Sequence, residues 1–188
     1  MPPHRVTLHL DGVKNHYFVR SGNSFQIASH TMLEDMFGRR PKPELSLAVK
    51  TKHSGAPGVD RQRFTIILGI VNSGRGVAKS PFLSISLNPP HEIWRGGIDG
   101  NGNFGMAELV HSGNPNEKRY GATQTPVIHS GITHEVTAIR LELFLSTART
   151  LQDIVIDYKI AAEGIQLIEG KEIIIISTLL AEFGLQAA

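Results

Sequence analysis

The sequence predicts a mainly β protein. A β-hairpin and a short helix occupy residues 1–38, a linker follows at 39–43, and an immunoglobulin-like antiparallel β-sandwich spans 44–188. Two observations support this fold class. Short apolar stretches with a period of two recur through the C-terminal region, and turns rich in Gly, Asn and Pro separate them. Because no helical pattern lies between these stretches, a sandwich of about seven strands is favoured over a fold that alternates helices with strands.

The stretch Phe64–Leu87 carries the strongest strand signal. Apolar residues occupy both faces of its first half, as in a strand with one face buried and the other partly buried. Asn72–Gly76 then breaks the pattern with residues that accept positive φ angles, and a second strand continues to Leu87. We therefore predict a hairpin here. The predicted core comprises Ile66, Leu68, Ile70, Leu83, Ile85, Leu141, Leu143, Ile154, Ile156 and Ile174.

Further strands are predicted on both sides of this stretch. They are Glu44–Lys50, Met106–His111, Ile139–Leu145, Asp153–Ala162, Ile165–Ile168 and Glu172–Ser177. The predicted connections are loops at His53–Gln62 and Asn88–Gly105, a polar turn at Asn114–Arg119 and a hairpin turn at Glu163-Gly164. A last half-turn of helix is predicted at Thr178–Gly184.

The N-terminal region begins with a predicted hairpin. Val6–Leu10 alternates apolar with polar residues, Asp11-Gly12 is a strong two-residue turn signal, and Lys14–Arg20 supplies the returning strand. Ser21–Ser24 then ends that strand. A hairpin of two strands is marginal in water, so its apolar side chains need a further surface.

A short helix and a stiff linker complete this region. The helix is predicted at Ser29–Phe37, with Ser29 or Thr31 as its N-cap. Its apolar side is formed by Met32, Leu33, Met36 and Phe37. Gly38 is placed to end the helix, and the prolines of 39–43 prevent it from continuing.

Three N-terminal segments resemble a known family. The segments HYFVRSGNS (His16–Ser24), SHTMLEDMF (Ser29–Phe37) and GRRPKPEL (Gly38–Leu45) are similar to the end of the Schlafen/AlbA-type domain of bacterial proteins. The resemblance implies a DNA-binding or regulatory protein. The family's domain begins further upstream, with acidic and basic residues and a glycine-rich strand that this sequence lacks. The chain therefore looks like the C-terminal part of such a protein.

Composition narrows the class of protein. Apolar residues make up 40% and charged residues 19% of the chain, as in folded globular proteins. The net charge of +2 is too small to indicate a nucleic-acid binder by itself, and the absence of cysteine excludes disulfides and thiolate metal sites. No apolar run reaches the roughly 20 residues that a membrane helix needs. The N-terminus has no signal-peptide pattern, so we expect a cytoplasmic protein without membrane contact.

Two glycine-rich segments fall short of phosphate-binding motifs. Ser73–Ser80 (SGRGVAKS) ends in Lys-Ser like a P-loop, but Pro81 and a strand follow where the motif requires a helix. Gly100–Gly105 (GNGNFG) matches G-x-G-x-x-G without the buried strand that must precede it. We therefore predict no bound cofactor.

Metal and catalytic signatures are equally incomplete. Asp99, Asn101 and Asn103 fit the first ligand positions of an EF-hand, but Phe104 and Val110 replace the required Gly and Glu. The nine histidines show no metal-ligand spacing, so we predict no metal site, with a weak calcium site in this loop as the alternative. The sequence has no nucleophile elbow and no carboxylate pair, so no catalytic residue is nominated and an enzyme is not expected.

The remaining candidates are binding residues. Arg20, Arg39 and Arg40 could contact phosphates, or the linker arginines could pair with nearby acids and fix the angle between two subdomains. Trp94, in the loop Asn88–Gly105, could form a carbohydrate or ligand site. The leading hypothesis is a protein-interaction or scaffolding module, because a sandwich offers edges and loops without convergent reactive groups. Nucleic-acid contact and ligand binding are the alternatives.

Self-association is a further expectation. In the Schlafen/AlbA-type family the Val6–Arg20 segment closes a larger sheet, so here one edge of the hairpin lacks that neighbour. An unpaired edge presents free N–H and C=O groups to another strand. We therefore expect the hairpin to dock on the sandwich or to pair with a second copy of the chain.

Overall fold

The computed structural model of this protein describes residues 9–11, 14–37, 41–56, 58–93, 106–109, 117–122 and 126–186. The chain divides into two compact units, Met1–Pro41 and Lys42–Ala188. The division falls inside the segment that the sequence marks as a linker. Each unit is described below by itself.

The N-terminal unit contains four short strands and one helix. They are β1 (His9–Asp11), β2 (Lys14–His16), β3 (Phe18–Ser21), β4 (Ser24–Ile27) and α1 (His30–Met36). The predicted hairpin is present in part, as β1 paired with β2. The predicted returning strand Lys14–Arg20 is divided, because β2 ends at His16 and residues 18–20 belong to β3. A second hairpin, β3 with β4, was not predicted. Ser21 pairs with Ser24 around Gly22, whose φ of 63° suits a tight turn, so the turn that should have ended a strand instead joins two.

The structure selects one of the two predicted caps for α1. The backbone N–H of Met32 donates to Ser29 Oγ at 3.2 Å, which makes Ser29 the N-cap. The predicted apolar side of the helix is less buried than expected. Met32 is 48% and Met36 47% exposed, while the Phe37 ring meets the edge of Tyr17 with centroids 5.9 Å apart. The four residues of that side therefore do not form a closed core among the described residues.

The C-terminal unit is an antiparallel sandwich, which confirms the predicted fold class. Its strands are β5 (Leu45–His53), β6 (Arg61–Asn72), β7 (Ala78–Lys79), β8 (Phe82–Asn88), β9 (Met106–Glu108), β10 (Glu117–Ala122), β11 (Val127–Ile128), β12 (Thr133–Phe144), β13 (Ile154–Ala161) and β14 (Ile168–Ile174). A 3-10 helix (Leu145–Thr150) and helix α2 (Ile176–Glu182) complete it. No helix in the described ranges is long and apolar enough to cross a membrane.

The strand order is that of an immunoglobulin-like domain. One sheet has the order β12-β6-β5 and the other β14-β13-β8-β10-β9. Strands β12, β6 and β5 occupy the E, B and A positions of that fold, and β14, β13 and β8 occupy the G, F and C positions. Strands β10 and β9 extend the second sheet beyond the C position, while β7 and β11 form a separate small pair.

The predicted hairpin at Phe64–Leu87 is wrong, because β6 and β8 lie in different sheets. The Asn72–Gly76 segment crosses between the sheets instead of turning within one. Asn72 is buried, and its Oδ1 accepts hydrogen bonds from the backbone N–H groups of Glu44 and Gly74, both at 3.1 Å. Its Nδ2 donates to the carbonyls of Gly76 at 2.7 Å and Ile128 at 2.9 Å. This side chain therefore holds the crossover in place.

The predicted core residues lie in the interior. All of them are buried except Ile174, which is half-buried and packs against the same core. The core also contains residues that the sequence did not single out, including Tyr120, Met106, Val136 and Ile160.

Several predicted strand bounds were wrong. The predicted polar turn at Asn114–Arg119 overlaps β10, which begins at Glu117. Of the predicted strand Ile165–Ile168, only Ile168 belongs to a strand, β14. The predicted strand Glu172–Ser177 covers the end of that same β14 and the start of α2. Glu172–Ser177 is not a buried strand, because Ile173 is 54% and Ile175 46% exposed.

Candidate interaction surface

The outer face of the five-stranded sheet forms an open groove of about 560 Å³. Its floor is formed by Ser84 and Ser86 of β8, whose neighbours Leu83, Ile85 and Leu87 point into the core. Charged side chains of the adjacent strands form its walls: Glu117 and Arg119 on β10, Asp157 and Lys159 on β13, and Glu169 and Lys171 on β14. We call this feature the serine groove.

The groove exists because small side chains lie between long ones. Strand pairing arranges these residues in two rows that run across four strands. The register gives Arg119, Ser84, Lys159 and Glu169 in one row, and Glu117, Ser86, Asp157 and Lys171 in the next. The serines leave a depression along β8, while the longer side chains of both rows rise on either side of it.

Ion pairs organise one wall of the serine groove. Arg119 binds Glu117 through two hydrogen bonds, Nε to Oε1 at 3.0 Å and Nη2 to Oε2 at 2.9 Å. Ser84 Oγ donates to Glu117 Oε1 at 2.6 Å. The hydrogen bonds from Arg119 and Ser84 hold the pKa of the Glu117 carboxyl below its ordinary value. Glu117 is therefore an ionised hydrogen-bond acceptor at neutral pH and a weak base.

The opposite wall contains two more ion pairs. Lys159 Nζ lies 2.8 Å from Glu169 Oε1, and Lys171 Nζ lies 3.1 Å from Asp157 Oδ1. The hydrogen bond to the Glu169 carboxylate raises the pKa of Lys159. Among the described lining residues, acids and bases balance, and each charge has a partner of opposite sign. The groove can therefore offer hydrogen-bond donors and acceptors to a polar ligand.

A second depression lies on the outer face of the three-stranded sheet, with a volume of about 490 Å³. Glu142 accepts hydrogen bonds there from Arg61 Nη2 at 2.6 Å and Arg63 Nε at 3.4 Å, and the bond from Arg61 lowers the pKa of Glu142. These side chains are at least 40% exposed, whereas the Glu117 side chain is 17% exposed. The serine groove is thus the larger of the two, and its Glu117 is the best shielded of these charged side chains.

The structure does not test the candidate residues taken from the sequence. Arg20 is exposed at the end of β3, and its Nε donates to the carbonyl of Gly22 at 3.1 Å. Arg39, Arg40 and Trp94 lie outside the described residues, as does most of the Asn88–Gly105 loop. Nucleic-acid contact and ligand binding at these positions stay predictions. Across the described part of the chain, no group of three or more His, Asp or Glu side chains could hold a metal ion.

Sequence reasoning missed the serine groove, although two signals for it were present. Ser84 and Ser86 alternate with buried leucine and isoleucine, which places two small polar side chains on one outer face. The second signal, the paired charges of Glu117 and Arg119, was hidden because that segment resembled a polar turn.

Comparison with known proteins assigns no family to this chain. No protein-family model matches it, and no curated protein matches it. Among solved structures, it is similar to a Bordetella pertussis protein assigned as ApaA, at 14% identity over 70% of this chain and 93% of that one, with a TM-score of 0.34. It is also similar to the structural genomics target SoR45, at 15% identity over 70% and 82% of the two chains, with a TM-score of 0.32. A DUF4466 family protein from Parabacteroides merdae shows 11% identity over 69% and 44%, with a TM-score of 0.23. At such low TM-scores these similarities carry no argument about function.

Proposed function

We propose that this protein is a non-catalytic interaction module, and that the serine groove is where it binds a protein partner. The observation that carries the proposal is the shape and charge of the groove. Its floor of small serines lies between walls that display both signs of charge in fixed ion pairs. A polypeptide segment with polar and charged side chains of both signs fits such a surface, because it can exchange these ion pairs for its own.

Two features favour a protein over other ligands. Small-molecule sites are concave and mostly apolar, whereas this groove is open and lined by charged side chains. Nucleic acids need an excess of positive charge, and the described lining residues are balanced in sign. The resemblance of residues 2–45 to the end of a Schlafen/AlbA-type domain suggests the setting: the partner would belong to a DNA-binding or regulatory assembly.

The proposal can be tested by filling the groove. Ser86→Arg places a long side chain on the floor, while Ser46→Arg makes the same change at an exposed position on β5 of the other sheet. The first step is to find proteins in a lysate of the source cells that bind the unmodified chain and Ser46→Arg but not Ser86→Arg. Each such protein is then purified, and its affinity for the three chains is measured by calorimetry. We expect Ser86→Arg to weaken the affinity for the purified partner by about tenfold or more, which corresponds to about 1.4 kcal/mol of binding free energy. Equal affinity for the two variants would refute the proposal.

A further inference from the structure

Strand β14 lies at one end of the five-stranded sheet and carries exposed apolar side chains. It pairs with β13 on one side, and no strand of the described residues pairs with its other side. Such an edge presents free N–H and C=O groups. Ile173 is 54% exposed, and Leu167, directly before the strand, is 50% exposed. A long edge with apolar side chains on its face has the properties of a strand that pairs with another chain.

The side chains on the outer face of this edge are complementary to themselves. Leu167, Glu169, Lys171 and Ile173 alternate along that face, and Gly170 is at their centre. If a second copy of β14 pairs antiparallel with Gly170 opposite Gly170, then Glu169 faces Lys171 of the second copy. Leu167 then faces Ile173 of the second copy. Opposite-charge and apolar pairs placed directly across from each other both stabilise an antiparallel sheet.

Neighbouring registers lack this match. Directly opposite residues must share a face, so one copy can slide against the other only by two residues at a time. The first slide in one direction places Glu169 opposite Glu169, and the first in the other places Lys171 opposite Lys171. Like charges directly opposite each other destabilise the pairing. The charge pattern therefore selects the register centred on Gly170.

Pairing in this register also continues the ion-pair rows of the serine groove. Within one chain, Lys159 pairs with Glu169 and Lys171 pairs with Asp157. Across the contact, a row would read Lys159 and Glu169 of one copy, then Lys171 and Asp157 of the other. Positive and negative charges would alternate over four strands, so each central charge would lie between two charges of opposite sign.

We propose that two copies of this chain associate by antiparallel pairing of their β14 strands, with Gly170 on the twofold axis. The outer faces of the two five-stranded sheets then join into one surface. Glu169 and Lys171 also line the serine groove, but the proposal does not rest on the proposed function, because the match between two copies of β14 needs no partner in the groove.

Charge reversal tests the proposed register. Lys171→Glu gives each copy two acids at the contact, and Glu169→Lys gives each copy two bases, so each variant should repel itself. A mixture of the two variants should associate, because the acids of one chain face the bases of the other. Sedimentation velocity over a range of concentrations measures all three samples. We expect about tenfold or greater weakening of self-association in each variant alone, and its recovery in the mixture.

The control is Lys50→Glu on β5, an edge strand of the other sheet. Lys50 is exposed and pairs with Glu135 at 3.4 Å, so its reversal breaks an ion pair of the same kind in the other sheet. It should leave self-association unchanged. The proposal is overturned if the unmodified chain stays monomeric at every concentration, or if the mixture of variants stays monomeric. It is equally overturned if both β14 variants associate as the unmodified chain does, which would place the contact elsewhere, such as at the N-terminal hairpin.

Discussion

The phenolic oxygen of Tyr120 lies 3.0 Å from Thr137 Oγ1 in the buried interior of the sandwich. Tyr120 belongs to β10 in one sheet and Thr137 to β12 in the other, so this hydrogen bond links the two layers. Both residues are almost completely buried. Because a buried polar group without a partner is costly, this contact fixes how the two sheets face each other.

A double-mutant cycle measures this link. Tyr120→Phe and Thr137→Val each remove one hydroxyl from the pair with little change in shape. We expect each variant to lower the free energy of unfolding by about 1 kcal/mol, and the double variant to lose less than the sum, because one hydrogen bond is lost only once. Urea denaturation of the four proteins gives the coupling. Strictly additive losses would show that the two hydroxyls act independently.

The position of Thr137 also explains why half of its strand could not be predicted. The pairing of β12 with β6 shifts between Glu135 and Thr137, which leaves Val136 as an extra residue in a β-bulge. From Ile139 onward, inward residues occupy odd positions, and the pattern predicts that part correctly. Continued backward without the bulge, the same alternation would bury Glu135, so the alternation in the sequence predicts a strand only from Ile139 onward.

Gly69 is required by the same bulge. A Cβ atom at this position would lie 2.3 Å from the backbone oxygen of His134 and 3.0 Å from Glu135 Cα. Backbone atoms of a paired strand cannot easily move aside, so we expect Gly69→Ala to destabilise the fold by about 1–3 kcal/mol. The measurement is the shift in the midpoint of thermal or urea unfolding.

Gly121→Ala is the matched control for Gly69. A Cβ atom there would meet the side chain of Leu109 at 2.9 Å, and that side chain can change rotamer. We therefore expect a smaller loss of stability from Gly121→Ala than from Gly69→Ala. The reverse order would show that the close approach of β12 to Gly69 is not a constraint on the fold.

Asn72 should be among the most sensitive polar residues of the sandwich. Asn72→Ala removes the partner of two backbone N–H groups and two carbonyls at the crossover. We expect a loss of at least about 3 kcal/mol in the free energy of unfolding, because several groups lose their hydrogen bonds together. Ser73→Ala is the control, since Ser73 is the exposed next residue and its Oγ makes one long bond of 3.3 Å to Glu44. Equal effects of the two changes would remove the special role given to Asn72.

The crossover shows where a sequence pattern stops being informative. The alternation in β6 and β8 correctly predicted which side chains are buried, because burial depends on the face of each strand. It could not show which strands pair. The inner faces of β6 and β8 have the same apolar pattern whether the strands lie side by side or in opposing sheets. The serine groove depends on this pairing, because it needs β10 and β13 on either side of β8.

His91 should make stability depend on pH. Its Nε2 is buried and has no hydrogen-bond partner in the described structure, and burial lowers the pKa of the imidazole. The pKa of histidine in an unfolded chain is about 6.5. Below that pH the unfolded chain therefore binds a proton at His91 more readily than the folded chain does. The contribution of His91 to the free energy of unfolding is therefore fully present above the pKa of the unfolded state. It is lost as the pH falls from there toward the lower pKa of the folded state.

The measurement is urea denaturation between about pH 8 and pH 5, where this linkage operates. We expect His91→Gln to lose less stability on acidification than the unmodified chain. His129→Gln, a change at an exposed histidine, should follow the unmodified chain. Parallel curves for His91→Gln and the unmodified chain would mean that His91 does not contribute to the pH dependence.

The last prediction concerns nucleic acid, which the resemblance to a Schlafen/AlbA-type domain suggests. If Arg20, Arg39 and Arg40 contact phosphates, replacing all three with alanine should weaken DNA binding across sequences. Each lost phosphate contact should also reduce the slope of log K against log salt by about 0.9 for duplex DNA, because fewer counterions are released. Arg75→Ala is the control, since Arg75 is an exposed arginine of the crossover in the other unit. Fluorescence anisotropy at several salt concentrations gives both affinity and slope. An equal slope for the triple variant and Arg75→Ala would show that these three arginines do not contact DNA phosphates. If the unmodified chain does not bind DNA at low salt, the hypothesis is wrong for this chain.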